Sequence, residues 1–395
     1  MTNVRFGIIA DDFTGAMDTG AQFAGAGQPV RVSLDGQVGA DDLVVVLTTD
    51  SREIDLQTAC ARAAAAAQAL HGRRLYKKID STLRGHVGGE ALAVLAAVGA
   101  EKAVLCPAVP AAGRVVRGGE LWVNGQPLHQ TAFGADPGWP ALTSDVAARI
   151  GSEACSLALD VVRGAGFAQA VWNSPARLLA PDAEHEGDLA RIADLLRDAR
   201  LLPCGALALA RAWRLAVDAA PLPAPLPRLR RGPFVLACGS ANPAARHLAL
   251  AVSQQVGAVQ LAVVPGRPLP IAAAQHALKS RLPVLLLLDI PSSAAEAAPA
   301  ALHAWPALMA EAVRQVCTQI VPAGLLLMGG ETARSSLQAL AVSAVWVAGE
   351  LAPGLAWGRL AGGLCDRRWI ITQSGGLSAA ASVPALTNCL LDFCE

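Results

Sequence analysis

Lysine is nearly missing from this 395-residue sequence: Lys77, Lys78, Lys102 and Lys279 are all there is. No GxxxxGK(S/T) occurs, so a P-loop nucleotide site is excluded. No GxGxxG follows a strand-like run, which removes the usual dinucleotide fold and leaves a two-domain dehydrogenase without support. HExxH and GxSxG are missing too, which speaks against metalloprotease and α/β-hydrolase chemistry. Charge is sparse at 16%, and 32 basic residues cancel 32 acidic ones. No electrostatic field is then available to draw nucleic acid or a membrane surface as partner. No stretch reaches the roughly 18–20 consecutive apolar residues of a membrane helix. The opening Met1-Thr2-Asn3-Val4-Arg5 lacks the basic and apolar regions of a secretory signal. Nine cysteines are scattered without a CxxC pair. That pattern reads as reduced, buried thiols of a cytoplasmic protein, without disulfides or zinc.

What is present is apolar material in quantity, 53% of the chain. The length suits two domains better than one. Short strand-like runs at 4–10, 30–34, 43–48, 75–79 and 103–106 alternate with helix-like stretches at 14–25, 56–70 and 88–98. Such βα alternation predicts an α/β fold with a mainly parallel sheet and helices on both faces. Residues 107–138 are rich in Gly and Pro without periodicity, which predicts a long functional loop or small hairpin excursion. Pro221-Leu222-Pro223-Ala224-Pro225-Leu226-Pro227 marks a stiff linker. A second α/β series follows, with strands at 234–238, 259–264, 284–289, 325–328, 345–347 and 369–372, and helices at 306–320 and 332–340. The expected organisation is residues 1–220, a linker at 221–231, and residues 232–395, with the ligand site in a cleft between two α/β domains.

Ligands of parallel sheets bind beyond the carboxyl ends of strands. Three such ends in the first half carry polar clusters: Asp11-Asp12-Phe13-Thr14-Gly15, Thr48-Thr49-Asp50-Ser51-Arg52, and Lys78-Ile79-Asp80-Ser81-Thr82-Leu83-Arg84-Gly85. One such cluster alone is an ordinary helix N-cap. Three converging supply carboxylates, hydroxyls, an ammonium and two guanidinium forks, a set suited to a small polyhydroxy anion. His86 nearby has no metal-ligand spacing and reads as structural. In the second half, glycine turns follow strands at Gly239-Ser240, Gly329-Gly330-Glu331-Thr332-Ala333 and Ser374-Gly375-Gly376. Singly these are common tight turns, but together they predict a phosphate cradle of backbone amides at helix N-termini.

At these residues the sequence resembles the four-carbon acid sugar kinase family. The likeness includes Ile9-Ala10-Asp11-Asp12-Phe13-Thr14-Gly15-Ala16, Asp50-Ser51-Arg52 and Lys77-Lys78-Ile79-Asp80-Ser81-Thr82-Leu83-Arg84-Gly85. It continues through Pro107-Ala108-Val109-Pro110, Gly118-Gly119, Val123-Asn124-Gly125 and Phe133-Gly134-Ala135-Asp136-Pro137. In the second half it covers Gly239-Ser240, the 329–333 turn and Glu350-Leu351-Ala352-Pro353-Gly354. The resemblance implies an acid-sugar-binding N-terminal domain and an ATP-binding C-terminal one. It implies phosphorylation of the terminal hydroxyl of threonate, erythronate or 3-oxo-tetronate, with ATP and Mg²⁺. Asp12, Arg52, Lys78, Asp80, Ser81 and Arg84 would hold the substrate. Ser240, Gly329, Gly330, Glu331, Thr332, Ala333, Gly375 and Gly376 would contact the nucleotide.

Within that implication Asp12 is the first choice for the proton acceptor and Asp80 the second. Lys78 would bridge substrate and γ-phosphate, and Arg52 or Arg84 would grip the carboxylate. A homodimer is the base-rate expectation. One departure stands out. The family closes with Lys-Ser-Gly-(Gly/Asn)-Phe-Gly, where this chain has Gln373-Ser374-Gly375-Gly376-Leu377-Ser378. Either backbone amides suffice there, or transfer is weakened and the chain is a non-catalytic sensor of sugar acid and nucleotide.

Overall fold

All five residues of Phe6–Ala10 (β1) are buried, as befits a strand covered on both faces by helices. The computed structural model describes residues 4–24, 30–136, 138–217, 232–240, 242–289, 299–374 and 382–394. The chain divides into two compact units, Met1–Val30 with Gly36–Pro223, and Arg31–Asp35 with Ala224–Glu395. The Pro-rich segment at 221–231, together with Gly375 and Gly376, lies outside the described residues. No described helix is long and apolar enough to cross a membrane.

After β1 the chain forms β2 (Val30–Ser33), whose residues from Arg31 on belong to the second unit, and then, in the first unit, β3 (Val44–Thr48), β4 (Arg74–Lys78) and β5 (Lys102–Cys106). The excursion after β5 holds β6 (Arg114–Arg117), β7 (Glu120–Val123) and β8 (Gln126–Pro127), a small antiparallel sheet of its own. Then come β9 (Ala154–Leu157), β10 (Leu178–Pro181) and β11 (Leu201–Gly205). The main sheet runs β3-β1-β4-β11-β5-β10-β9, and its pairings are parallel. The sequence reading closed the series at 106, three strands short. Pro203 explains part of this: proline argues against a central strand, yet β11 sits between β4 and β5 with Pro203 opposite Val104. Four aromatic residues of the first unit pack against one another. Phe6 lies 5.1 Å from Phe23 and 5.5 Å from Trp213, and Tyr76 lies 5.7 Å from Trp213. Both polar handles are satisfied, Tyr76 Oη donating to Ala206 O at 2.8 Å and Trp213 Nε1 to Leu196 O at 3.0 Å.

The second unit carries β12 (Phe234–Cys238), β13 (Val259–Val263), β14 (Val284–Leu288), β15 (Gly324–Met328), β16 (Ala344–Ala352), β17 (Leu355–Ala361) and β18 (Trp369–Gln373). The order is β13-β14-β12-β15-β18-β17-β16, with β17 antiparallel to both neighbours. The short strand expected at 345–347 is nine residues long, and its hairpin partner β17 was not foreseen. The helix expected to begin at Pro306 instead spans Pro299–Gln319 with Pro306 inside it. A sequence rule favours proline in the first turn, but here Met309, Val313, Val316 and Cys317 are fully or almost fully buried, and packing overrides the missing donor.

Candidate active site

The three polar strand ends of the first unit meet because β3, β1 and β4 are neighbours in that order, in register at Thr48, Ala10 and Lys78. The chain leaves β1 through Asp11 and Asp12 into the helix Phe13–Ala24. It leaves β3 through Asp50, whose φ of +45° turns the backbone in a conformation that Asp tolerates better than most residues. Arg52 then reaches across. Its Nε and Nη2 donate to Asp11 Oδ2 at 2.9 and 2.7 Å, and Nη2 stands 2.9 Å from Asp12 Oδ1. From β4, Lys78 Nζ donates to Asp12 Oδ1 at 2.9 Å and Asp11 Oδ1 at 3.3 Å. Two carboxylates are thus interleaved with two cations.

Strand alternation sends Lys77 to the opposite face. There its Nζ pairs with Glu90 at 2.7 Å, both side chains 1% exposed. Glu90 Oε1 accepts from Ser51 Oγ at 2.6 Å, and Ser51 is bonded in turn to Thr49. The two neighbouring lysines therefore do different work. Lys77 ties β4 and the end of β3 to the helix Val87–Val98, while Lys78 faces the site.

Asp80 organises the loop after β4. Its Oδ2 accepts from Thr82 N (3.1 Å), Thr82 Oγ1 (2.5 Å), Arg84 N (3.3 Å) and Arg84 Nε (3.0 Å), and its Oδ1 from Arg84 Nη2 (3.0 Å). Leu83 and Gly85 adopt φ of +60° and +84° to close the loop. Arg84 also stands 3.7 Å from Asp136 through Nη1. The excursion expected at 107–138 reaches the same place: Arg114 Nη1 donates to Ser81 Oγ. The Phe133 ring lies beneath the guanidinium groups of both Arg114 (5.4 Å) and Arg84 (6.0 Å). Arg114 and Phe133 were not among the candidate site residues.

Burial would raise the Asp12 and Asp80 carboxyls, but their cations outweigh it. Arg52 and Lys78 hold Asp12 below the usual carboxylate range, and Arg84 and Arg52 hold Asp80 well below it. Lys78 loses some basicity to burial and regains more from Asp11 and Asp12, so it is firmly protonated. Burial pulls Arg114 down to about 10, with Asp80 opposing and Arg84 adding to the fall. The Asp12 oxygens differ in their surroundings. Oδ1 receives Gly15 N at 3.2 Å along with Lys78 and Arg52. Among the described residues Oδ2 accepts from Thr14 Oγ1 alone, at 2.7 Å. Asp12 is also the most exposed of the three acids, at 15% against 6% for Asp11 and 8% for Asp80.

In the second unit the glycine segments at 239–240 and 329–333 leave adjacent strands, and Cys238, Met328 and Gln373 stand in register at the ends of β12, β15 and β18. A Cβ on Gly239 would stand 2.6 Å from Thr332 Oγ1, and Gly329 has φ +94°. Gly329 N donates to Gln373 O at 3.1 Å, tying the 329–333 turn to the end of β18. The helix Gly330–Ala339 starts there, and its first N–H groups have no intrahelical partners by geometry. Ser240 Oγ accepts from Asn242 N at 3.1 Å, and Asn242 caps the helix Pro243–Gln255. Gln373, 1% exposed, donates through Nε2 to Ser374 O at 2.6 Å. Glu331 is exposed, while Thr332 and Ala333 are buried.

Comparison with known proteins fits this layout. A family model described as a sugar-binding N-terminal domain matches residues 6–213, and one described as a nucleotide-binding C-terminal domain matches 271–377. A D-threonate kinase of Cupriavidus necator is 34% identical over 386 residues, 88% of each chain. A D-threonate kinase of Bordetella bronchiseptica is 30% identical over 406 residues, 94% of this chain and 93% of the relative. A crystal structure from Salmonella typhimurium LT2 superposes with TM-score 0.77 at 22% identity, covering 96% of this chain and 98% of the other, and shares the fold.

Proposed function

Because the chain belongs to the four-carbon acid sugar kinase family, we propose that it transfers the γ-phosphoryl group of ATP to the terminal hydroxyl of a four-carbon acid sugar, D-threonate first. The observation that carries the reading is the pairing of Asp12 with Lys78 and Arg52, 2.9 Å from each. It leaves an ionised carboxylate whose Oδ2 is fixed by Thr14 and open to one more donor. A sugar hydroxyl is such a donor.

Asp12 Oδ2 takes the hydroxyl proton as the new O–P bond forms and the bond to the leaving ADP breaks. A weak base is adequate here, since the transition state of phosphoryl transfer is loose and proton loss is late. Asp80 has its oxygens filled by Thr82 and Arg84, so its role is to shape the loop. Arg84 is the guanidinium for the substrate carboxylate: Nε and Nη2 are held by Asp80, while among the described residues Nη1 has the looser Asp136 at 3.7 Å. Arg52 and Lys78 orient Asp12 and hold two cations beside the reacting hydroxyl.

The second unit's residues fit a nucleotide's phosphates. A Cβ at Gly239 would fill the turn, and the helix Gly330–Ala339 offers the positive end of its dipole beside it. Gly239, Ser240 and the 329–333 turn would hold ATP, which supplies the phosphoryl group. Mg²⁺ would accompany it, since such ions need only one or two carboxylates besides the phosphates.

A second reading, a sensor without transfer, is favoured by Gln373 standing where the family carries lysine. ADP release from Mg-ATP separates the two, assayed with D- and L-threonate, D- and L-erythronate and their 3-oxo forms. Turnover with one acid supports the kinase. ATP binding without turnover of any acid overturns it in favour of the sensor.

A further inference from the structure

We infer that Arg114 is the positioning residue for Ser81, fixing its hydroxyl as a donor to the carboxylate of the acid sugar. The inference rests on the reading of the 80–85 loop as the acid-sugar site, and it adds a residue and a direction of hydrogen bonding to that reading.

Arginine has only donors, and a serine hydroxyl has one proton and two lone pairs. The contact from Arg114 Nη1 to Ser81 Oγ therefore runs one way, and the Ser81 proton must go elsewhere. Ser81 is 7% exposed, so that proton needs an acceptor. Among the described residues none accepts it. An incoming carboxylate oxygen does, next to Arg84 three residues along the same loop.

The chain takes care over where Arg114 sits. Val109 N donates to Arg114 O at 2.8 Å and Arg114 N to Val109 O at 3.2 Å, closing a tight turn over Pro110–Ala112. Gly113, with φ +67°, completes it, and Asn124 N donates to Gly113 O at 2.7 Å. Phe133 then sets the plane of the guanidinium from below. Arg114 is 3% exposed, and burial lowers its basicity with Arg84 adding to the effect. A bound anion relieves both. Acid sugars would thereby be preferred over neutral polyols of the same length.

The test compares Arg114→Met, Arg114→Lys, Ser81→Ala and the Arg114→Met/Ser81→Ala double variant with the unaltered chain. Steady-state kinetics are run with D-threonate and the other four-carbon acids, alongside thermal unfolding. Arg114→Met and Ser81→Ala should each raise the acid-sugar KM about tenfold, leaving the ATP KM within about twofold. The double variant should be no worse than the worse single one, the signature of two residues acting as a unit. Arg114→Lys should recover part of the loss. Effects that multiply in the double variant, or a fall in thermal stability with the acid-sugar KM unchanged, would overturn the role given to Arg114. If Arg114→Met does not fold, an unchanged KM in both Arg114→Lys and Ser81→Ala overturns it equally. Failure of the underlying reading looks different: the unaltered chain itself releases no ADP with any acid, and both proposals fall.

Discussion

The ammonium of Lys78 lies where a side chain at residue 15 would begin: a Cβ on Gly15 would stand 1.9 Å from Lys78 Nζ and 2.4 Å from Asp12 Oδ1. Gly15 is in the helix Phe13–Ala24, where alanine is the better helix former by about 1 kcal/mol. The glycine is there for the lysine. Gly15→Ala should displace Lys78 from Asp11 and Asp12 while keeping the helix. We expect kcat/KM for the acid sugar to fall by about a hundredfold or more with the circular dichroism spectrum unchanged. A variant as active as the parent would mean that Lys78 takes no part.

Asp12 and Asp80 should respond differently to amidation. Asp12→Asn keeps the shape but loses the proposed proton acceptor, so turnover should collapse by roughly 10²–10⁴-fold with ATP binding intact. Asp80→Asn strips a buried partner from Arg84, and breaking such a pair costs about 3–5 kcal/mol. Both variants should lose stability in denaturant titration, since Asp12→Asn also gives up its ion pairs with Lys78 and Arg52, but turnover should fall far less in Asp80→Asn. A turnover loss in Asp80→Asn as large as that in Asp12→Asn would contradict this division.

The strand-end clusters were legible in the sequence because β1 and β3 are aliphatic runs that stop abruptly at acids and hydroxyls, and β4 ends in two of the chain's four lysines just before Asp80-Ser81. Their adjacency was not, since strand order is set by crossover topology and not by local pattern. Arg114 escaped notice for a related reason. It lies 33 residues from Ser81, in a segment where glycines and prolines hide the periodicity. The one available signal was the β-branched pair Val115-Val116 just before Gly118-Gly119, a strand running into a turn. β11 was lost to Pro203, which is correct as a rule and overridden by packing in this sheet.

The acid limb of stability follows from the same carboxylates. Asp12 and Asp80 titrate below their ordinary value of 3.8. Groups with a depressed folded pKa stabilise the fold above the unfolded pKa, and lose that contribution as pH falls toward the folded one. Stability to urea should therefore owe nothing to these groups' titration between about pH 6 and 8, and should decline from about pH 5 downward. Asp80→Asn should flatten part of that decline. Asp12 being ionised throughout, kcat/KM should show no acid limb from it above about pH 5; a limb near pH 6 that Asp12→Glu shifts would disprove its depressed pKa.

The glycine turn at 239 gives a test confined to the second unit. Gly239→Ala places a methyl 2.6 Å from Thr332 Oγ1, and Thr332 is 4% exposed with little room to retreat. The turn must open. The ATP KM should rise about tenfold while the acid-sugar KM stays within about twofold, seen by varying each substrate separately. A rise in the acid-sugar KM instead would show that the turn serves another ligand.

Gln373→Lys addresses the departure from the family ending. The position is 1% exposed, and its backbone oxygen already accepts from Gly329 N. An ammonium placed there without an anion is a buried charge, costing on the order of 1–3 kcal/mol even where hydrogen bonds compensate in part. Thermal unfolding of the nucleotide-free variant should therefore fall by several degrees. Phosphates beside the new cation reverse that cost, so ATP should raise the unfolding temperature more in the variant than in the parent. If ATP protects both alike, the lysine of the family is peripheral to the phosphates, and Gln373 is no obstacle to transfer. If the variant alone gains a large increment together with a higher kcat, the glutamine is what holds this chain's transfer rate down.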